Sequence, residues 1–206
     1  MKVLLINGSP HKEGNTYLGL CEVAKALNED GIDTEILHVG SRPITGCTGC
    51  GVCSQLGKCM YDTDPVNEAL EKMKESDGLV VGSPVHYAAA SGQITSFLDR
   101  FFYAGSGFAL KPGAAIVCAR RGGTTAALDQ LNKYFTISQM PIVSSQYWNM
   151  IHGLSHEDVK QDLEGMQTMR VLGHNMAWML KCIEAGKNAG IVAPVMEARE
   201  HTNFVS

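Results

Sequence analysis

Residues 2 to 16 constrain this chain more than any other stretch. Val3 to Ile6 is an apolar run too short for a helix and rich in branched residues, as in a buried strand. Asn7-Gly8-Ser9-Pro10 is a turn signal, and Gly14-Asn15-Thr16 leads into helical periodicity from Tyr17 to Ala24. The order is strand, polar glycine-containing loop, helix. A loop of this kind ends on unpaired backbone N–H groups at the positive end of a helix dipole, which favours a bound phosphate. Ser9, Asn15 and Thr16 add side-chain donors, and His11 and Lys12 can add charge.

The same alternation continues down the chain. The first helix is predicted to reach about Leu27, with Gly31 as its C-terminal cap. Further strands are predicted at 34–39, 79–81, 114–118 and from 141 to 144. Helices are predicted at 65–74, with Asp64 as N-cap, at 92–102 and 124–135, and as one long segment over 157–185. Strands alternating with helices imply a parallel sheet with right-handed crossovers. Five of each fit an α/β fold, a flavodoxin-like doubly wound parallel sheet in the order 2-1-3-4-5. Such sheets bind ligands beyond the carboxyl ends of their strands. Three unusual loops fall there: 7–16, 83–91 and 119–123. The predicted division is a domain over 1–187 with a cysteine-rich insert at 44–64, followed by a tail over 188–206.

Composition narrows the function. At 206 residues the chain suits one domain. No apolar run is long enough to span a bilayer, and no signal-peptide pattern opens the chain. A net charge of −4 without basic runs argues against nucleic acid as a partner. Seven cysteines, four of them in one short segment, suggest metal or redox chemistry in the cytoplasm rather than a disulfide scaffold. Cys21, Cys118 and Cys182 fall in apolar patterns and read as packing residues. Met166, Met169, Met176 and Met179 read as a core or subunit-interface stripe.

The loop at 82–92 combines small residues, which let a flat ring approach the main chain, with His86 and with Tyr87, which can stack on a ring. Gly8-Ser9-Pro10 with Gly14-Asn15-Thr16, Gly82-Ser83-Pro84-Val85, Ser91-Gly92-Gln93 and Phe97-Leu98-Asp99-Arg100 together resemble the NAD(P)H-dependent FMN reductases of the flavodoxin superfamily. The resemblance runs on through 119–125 and 145–150 to Thr202-Asn203-Phe204. It implies FMN with Ser9, His11, Asn15 and Thr16 at its phosphate and ribityl end, and with Pro84, Val85, His86 and Tyr87 along its ring. Ala119, Arg120 and Gly122 then face the pyrimidine side. Two positions depart from the usual pattern: His11 stands where relatives often carry arginine, and His86 where they often carry tyrosine.

Cys47, Cys50, Cys53 and Cys59 have two, two and five residues between them, a spacing similar to ferredoxin-type ligation of [4Fe–4S]. It also resembles the compact motif of the iron–sulfur flavoproteins in the same superfamily. Zinc and metal-free switching thiols are the rival readings. The resemblance implies an FMN-dependent oxidoreductase carrying electrons from NAD(P)H to a quinone, flavin or other small acceptor. The alternative is a relay from a ferredoxin-like partner without a substrate of its own, and a third reading is a thiol-switching flavin sensor. Hydride transfer needs no side-chain base, so no catalytic residue is assigned. A homodimer or homotetramer is expected from the tail and the methionine stripe.

Overall fold

The computed structural model describes residues 1–198, 200 and 202. Asn203, Phe204 and Val205, where part of the resemblance and the tail's apolar anchor fall, lie outside them.

The elements run β1 (Lys2–Asn7), α1 (Asn15–Glu29), β2 (Asp33–His38), α2 (Cys53–Leu56), α3 (Val66–Lys74), β3 (Gly78–His86), β4 (Ala89–Ala90), α4 (Gly92–Ala104), β5 (Gly113–Ala119), α5 (Thr124–Ile137), β6 (Met150–His152), α6 (His156–Gln161) and α7 (Leu163–Asn188). The sheet order is β2-β1-β3-β5-β6, with β4 a short strand paired antiparallel to β3. Counting only the five parallel strands, this is the order 2-1-3-4-5. Along β1 the side chains alternate between two cores. Leu4 and Ile6 join Phe97, Phe101, Leu131 and Phe135 on one face. Val3 and Leu5 join Leu20, Val23, Met169 and Met176 on the other. The methionine stripe is therefore core-facing: Met169 and Met176 are fully buried, and Met166 and Met179 pack half-buried beside them. Among the described residues, no helix is long and apolar enough to cross a membrane.

Four local expectations need correction. The third strand does not stop at Val81 but runs on to His86. Gly82 turns its carbonyl toward β1, where it accepts from Gly8 N–H (2.9 Å). Pro84 lies two residues on, beyond the end of β1 at Asn7, so its missing N–H faces an edge that no strand occupies. The fifth strand is β6, not 141–144. Ile142 makes only an isolated bridge to Gly113, and the chain rejoins β5 opposite Val117 to Ala119. The long last helix is broken at Asp162, whose carboxylate accepts from Gly165 N–H (3.0 Å) and His152 N–H (2.7 Å). An aspartate that bonds nearby backbone competes with the helix ladder, and periodicity does not register a one-residue break. Finally, Cys182 is exposed and Cys21 half-buried, so only Cys118 of the three is a packing cysteine.

Gly173 lets α7 pack closely against α1. A Cβ there would stand 2.6 Å from Ala26 Cβ and 2.7 Å from the Val23 carbonyl. Alanine gains about 1 kcal/mol of helix propensity over glycine. Overpacking against backbone costs about 1–3 kcal/mol, so the clash wins. Gly173→Ala is expected to lower stability by roughly 1 kcal/mol in denaturant unfolding, and a variant more stable than the parent would contradict this packing.

Candidate functional site

At the carboxyl edge, β1 turns into a loop held from several sides. Asn7 Oδ1 accepts from Ser9 N–H (3.1 Å) and Asn7 Nδ2 donates to the Lys12 carbonyl (2.9 Å). Ser91 Oγ donates to the Gly8 carbonyl (2.8 Å) while capping α4 by accepting from Ile94 N–H (3.3 Å). His38 Nε2 lies 2.7 Å from the Ser9 carbonyl, which makes that nitrogen the donor. Gly40 packs on the same carbonyl so tightly that a Cβ would come within 2.1 Å of it. The loop therefore presents a fixed backbone to α1. The first ladder bond of that helix runs from Leu18 N–H to the Gly14 carbonyl (3.1 Å). The N–H groups of Asn15, Thr16 and Tyr17 precede it and have no partner within the helix. A Cβ on Gly14 would fill the cradle, 2.9 Å from His11 Cβ and 3.4 Å from Ser9 Oγ.

The cradle opens into a cleft of about 590 Å³, within the range of small-molecule and cofactor sites. Its walls bring together nine of the eleven predicted flavin residues: Ser9, His11, Asn15, Thr16, Pro84, Val85, His86, Ala119 and Arg120. Gly122 is not among them, and a Cβ there would meet nothing. Its neighbour Gly123 is the constrained position, with φ +90° and its Cβ direction pointing at Val85. Tyr87 also stands outside the lining. It is the first residue of a two-residue hairpin between β3 and β4, with φ +58° and a fully exposed side chain. Glycine normally takes such a position.

One wall was not anticipated. Gly153, Leu154, Ser155 and His156 close the cleft, tied to the cradle by Asn15 Nδ2 donating to the Gly153 carbonyl (3.1 Å). Misplacing the fifth strand hid this wall; the Ser155–Asp158 capping box was the signal that marks it. Glu13 and Cys118 also line the cleft.

The four clustered cysteines line a separate, small cavity of about 20 Å³, shared with Tyr61, Arg100 and Tyr103. Cys59 is buried, Cys53 half-buried, and Cys47 and Cys50 exposed. Asn67 clamps Cys59 through its backbone, accepting from the N–H (2.9 Å) and donating to the carbonyl (2.9 Å). Gly49, Gly51 and Gly57 are all left-handed. Arg100, missed as a site residue, donates from Nε to Cys59 Sγ (3.1 Å) and pairs with Asp64. Burial works against its charge, but the bonds to Asp64 and Cys59 outweigh that and hold its pKa above the ordinary arginine value. Among the described residues, no three His, Cys, Asp or Glu side chains converge on a position for a single metal ion.

The family model described as NADPH-dependent FMN reductase matches residues 1–154. An iron–sulfur flavoprotein of Methanocaldococcus jannaschii is 37% identical over 193 residues, covering 89% of this chain and 100% of the relative. An iron–sulfur flavoprotein of Methanosarcina thermophila is 26% identical over 193 residues, covering 91% and 100%. Among solved structures, RosB with a bound 8-demethyl-8-formylriboflavin-5'-phosphate intermediate superposes with a TM-score of 0.71 at 15% identity, covering 100% of this chain and 93% of that one. An archaeal flavodoxin gives 0.58 at 16% identity, covering 88% and 99%. At these identities the structural likeness is one of fold.

Two measurements test the cleft. Burial pushes the Cys118 thiol up to about 12, against about 8.5 for a free cysteine. Its stabilising contribution is whole below about 8.5 and is lost as pH rises from there toward the folded value, because only the unfolded chain ionises first. Cys118→Ala is expected to flatten that alkaline fall in denaturant titrations; an unchanged fall would refute the assignment. Tyr87→Gly is expected to raise the melting temperature, since relieving a left-handed non-glycine residue returns about 1 kcal/mol; a lower one would mean that the side chain is packed.

Proposed function

The chain belongs to the NADPH-dependent FMN reductase family, and on that premise we propose that it is a flavin-binding oxidoreductase that passes electrons from NAD(P)H through FMN to a quinone, flavin or other small acceptor. The observation that carries this reading is the cradle: a rigid loop, a glycine with no room for a Cβ, and a helix start whose first residues, Asn15 and Thr16, line one cleft. The N–H donors of a helix start suit a phosphate, and the Ser9 and Thr16 hydroxyls extend them. Asn15 joins the cradle to the far wall and so fixes the cleft's width. Pro84, Val85, Ala119 and the neutral Cys118 sulfur offer a flat, weakly polar wall for the ring, with Arg120 at its rim. When bound, FMN supplies hydride acceptance and onward electron transfer. The protein binds, orients and shields, and no proton-transfer residue is required.

A second element of the reading rests on the cysteine cavity. Cys47, Cys50, Cys53 and Cys59 would hold a [4Fe–4S] cluster. A cluster gives each thiolate its own iron, so its ligands surround a volume rather than converge on one point. Seating it expands a cavity this small, and the exposed Cys47 and Cys50, beside left-handed glycines, are the sulfurs placed to give way. With such a cluster the alternative reading is a relay in which electrons arrive from a ferredoxin-like partner, without a substrate of the protein's own. We place the protein in the cytoplasm, as a homodimer or homotetramer.

The test is paired. Ser9→Ala with Thr16→Ala removes two donors to a charged oxygen, each worth about 1.5–3 kcal/mol. FMN affinity is expected to fall at least ten-fold per donor in a fluorescence titration; unchanged affinity would remove the loop as the phosphate site. Steady-state NADPH oxidation by the FMN-loaded wild type then separates the reductase from the partner-fed relay.

A further inference from the structure

Arg100 is the buried charge that the flavin chemistry does not use. Its side chain is 1% exposed and sits on α4, yet each of its polar contacts reaches into the cysteine segment. Nη1 donates to the Thr45 carbonyl (3.1 Å) and pairs with Asp64, and Nη2 donates to the Tyr61 carbonyl (2.9 Å). The guanidinium lies 5.2 Å over the Tyr61 ring. The remaining contact is Nε–H on Cys59 Sγ at 3.1 Å. Asp64 and the two carbonyls take three of the five guanidinium N–H donors, and the Nε–H is turned on a sulfur rather than on a further oxygen. Spending the Nε–H of a buried guanidinium on sulfur is strongly favourable only when that sulfur is negative, because a neutral thiol is a weak acceptor.

We propose that Arg100 is a positioning residue for the iron–sulfur cluster, fixing Cys59 as the preset ligand and raising the cluster's reduction potential through its Nε–H. This rests on the reading of the four cysteines as cluster ligands. Cys59 is the one ligand held on three sides, by Asn67 at its N–H and carbonyl and by Arg100 at its sulfur. The exposed Cys47 and Cys50 close on it as metal arrives. One-electron reduction, by dithionite in the test, adds one negative charge to the cluster and its thiolates. A donor aimed at a ligating sulfur stabilises that charge and so favours the reduced form. Asp64, on the far side of the guanidinium, works in the opposite sense.

The test is an anaerobic redox titration, read by visible spectrum and EPR, of reconstituted wild type, Arg100→Lys and Asp64→Asn. Iron, sulfide and FMN are assayed on each. Arg100→Lys keeps a positive charge without the Nε–H, so its cluster potential is expected to fall. Asp64→Asn removes a negative charge, so its potential is expected to rise, while the flavin potential stays in place in both. Loaded variants with the wild-type cluster potential overturn the proposal and leave the cluster reading standing. Wild type that takes up no iron overturns both. Should either variant fail to fold, wild type grown with 15N-arginine decides: pulsed EPR of its reduced cluster is expected to show an arginine 15N coupling, and its absence overturns the proposal.

Discussion

A parallel sheet covered by helices on both faces leaves its central strands no solvent-facing side. Leu4, Leu5, Ile6, Val80, Val81 and Ile116 are all fully buried, and α1 and α7 seal one face as α3, α4 and α5 seal the other. Polar chemistry is thereby driven to the strand ends, and β1, β3 and β5 each release a loop there. The loops are built against one another. Ser91, after β3, holds the Gly8 carbonyl after β1, and Gly123, after β5, leaves room for Val85. The cleft is the space that these mutual supports leave.

Much of this was legible in the residues because it is local. A branched apolar run followed by glycine, asparagine and threonine announces a strand, a turn and a helix start, and Ser9, Asn15 and Thr16 do line the cleft. What escaped depends on contacts between distant parts. Strand β3 continues through Pro84 because β1 has already ended, a fact about the neighbour that Pro84 itself does not carry. The fifth strand moved from 141–144 to 150–152 because β5 accepts a partner at both of its ends. With it moved the wall at 153–156, and His156 came to the cleft although its spacing to other histidines says nothing. Tyr87 and Gly122 share the loops of the lining residues but stand outside the lining, which adjacency in sequence cannot distinguish. Arg100 stands in the Phe97-Leu98-Asp99-Arg100 motif, and only the fold brings Cys59 to it, 41 residues away in the chain.

The cysteine cavity differs in kind from the cleft. The cleft is carved by rigid elements, whereas the cavity lies in a segment whose only helix is the single turn Cys53–Leu56. A segment with so little core of its own takes its shape from what it is fastened to. Besides the packing of Ile44, Cys59 and Tyr61 on the core, the polar fastenings include one asparagine and one arginine, each capable of several directed bonds at fixed angles. Lysine offers no equivalent, because its ammonium cannot serve a sulfur, a carboxylate and two carbonyls in a plane.

The packing of Gly40 on the Ser9 carbonyl has a consequence for distance. Gly40 follows the end of β2 by two residues, and Cys47 comes seven residues later. Seven residues of fully stretched chain span at most about 25 Å. The near end of that tether is welded to the cradle. However the cysteine segment is arranged, its first sulfur stays on a short leash from the cradle of the same polypeptide. An insertion between 41 and 46 lengthens that leash and leaves the residues that line the cleft and the cavity unchanged.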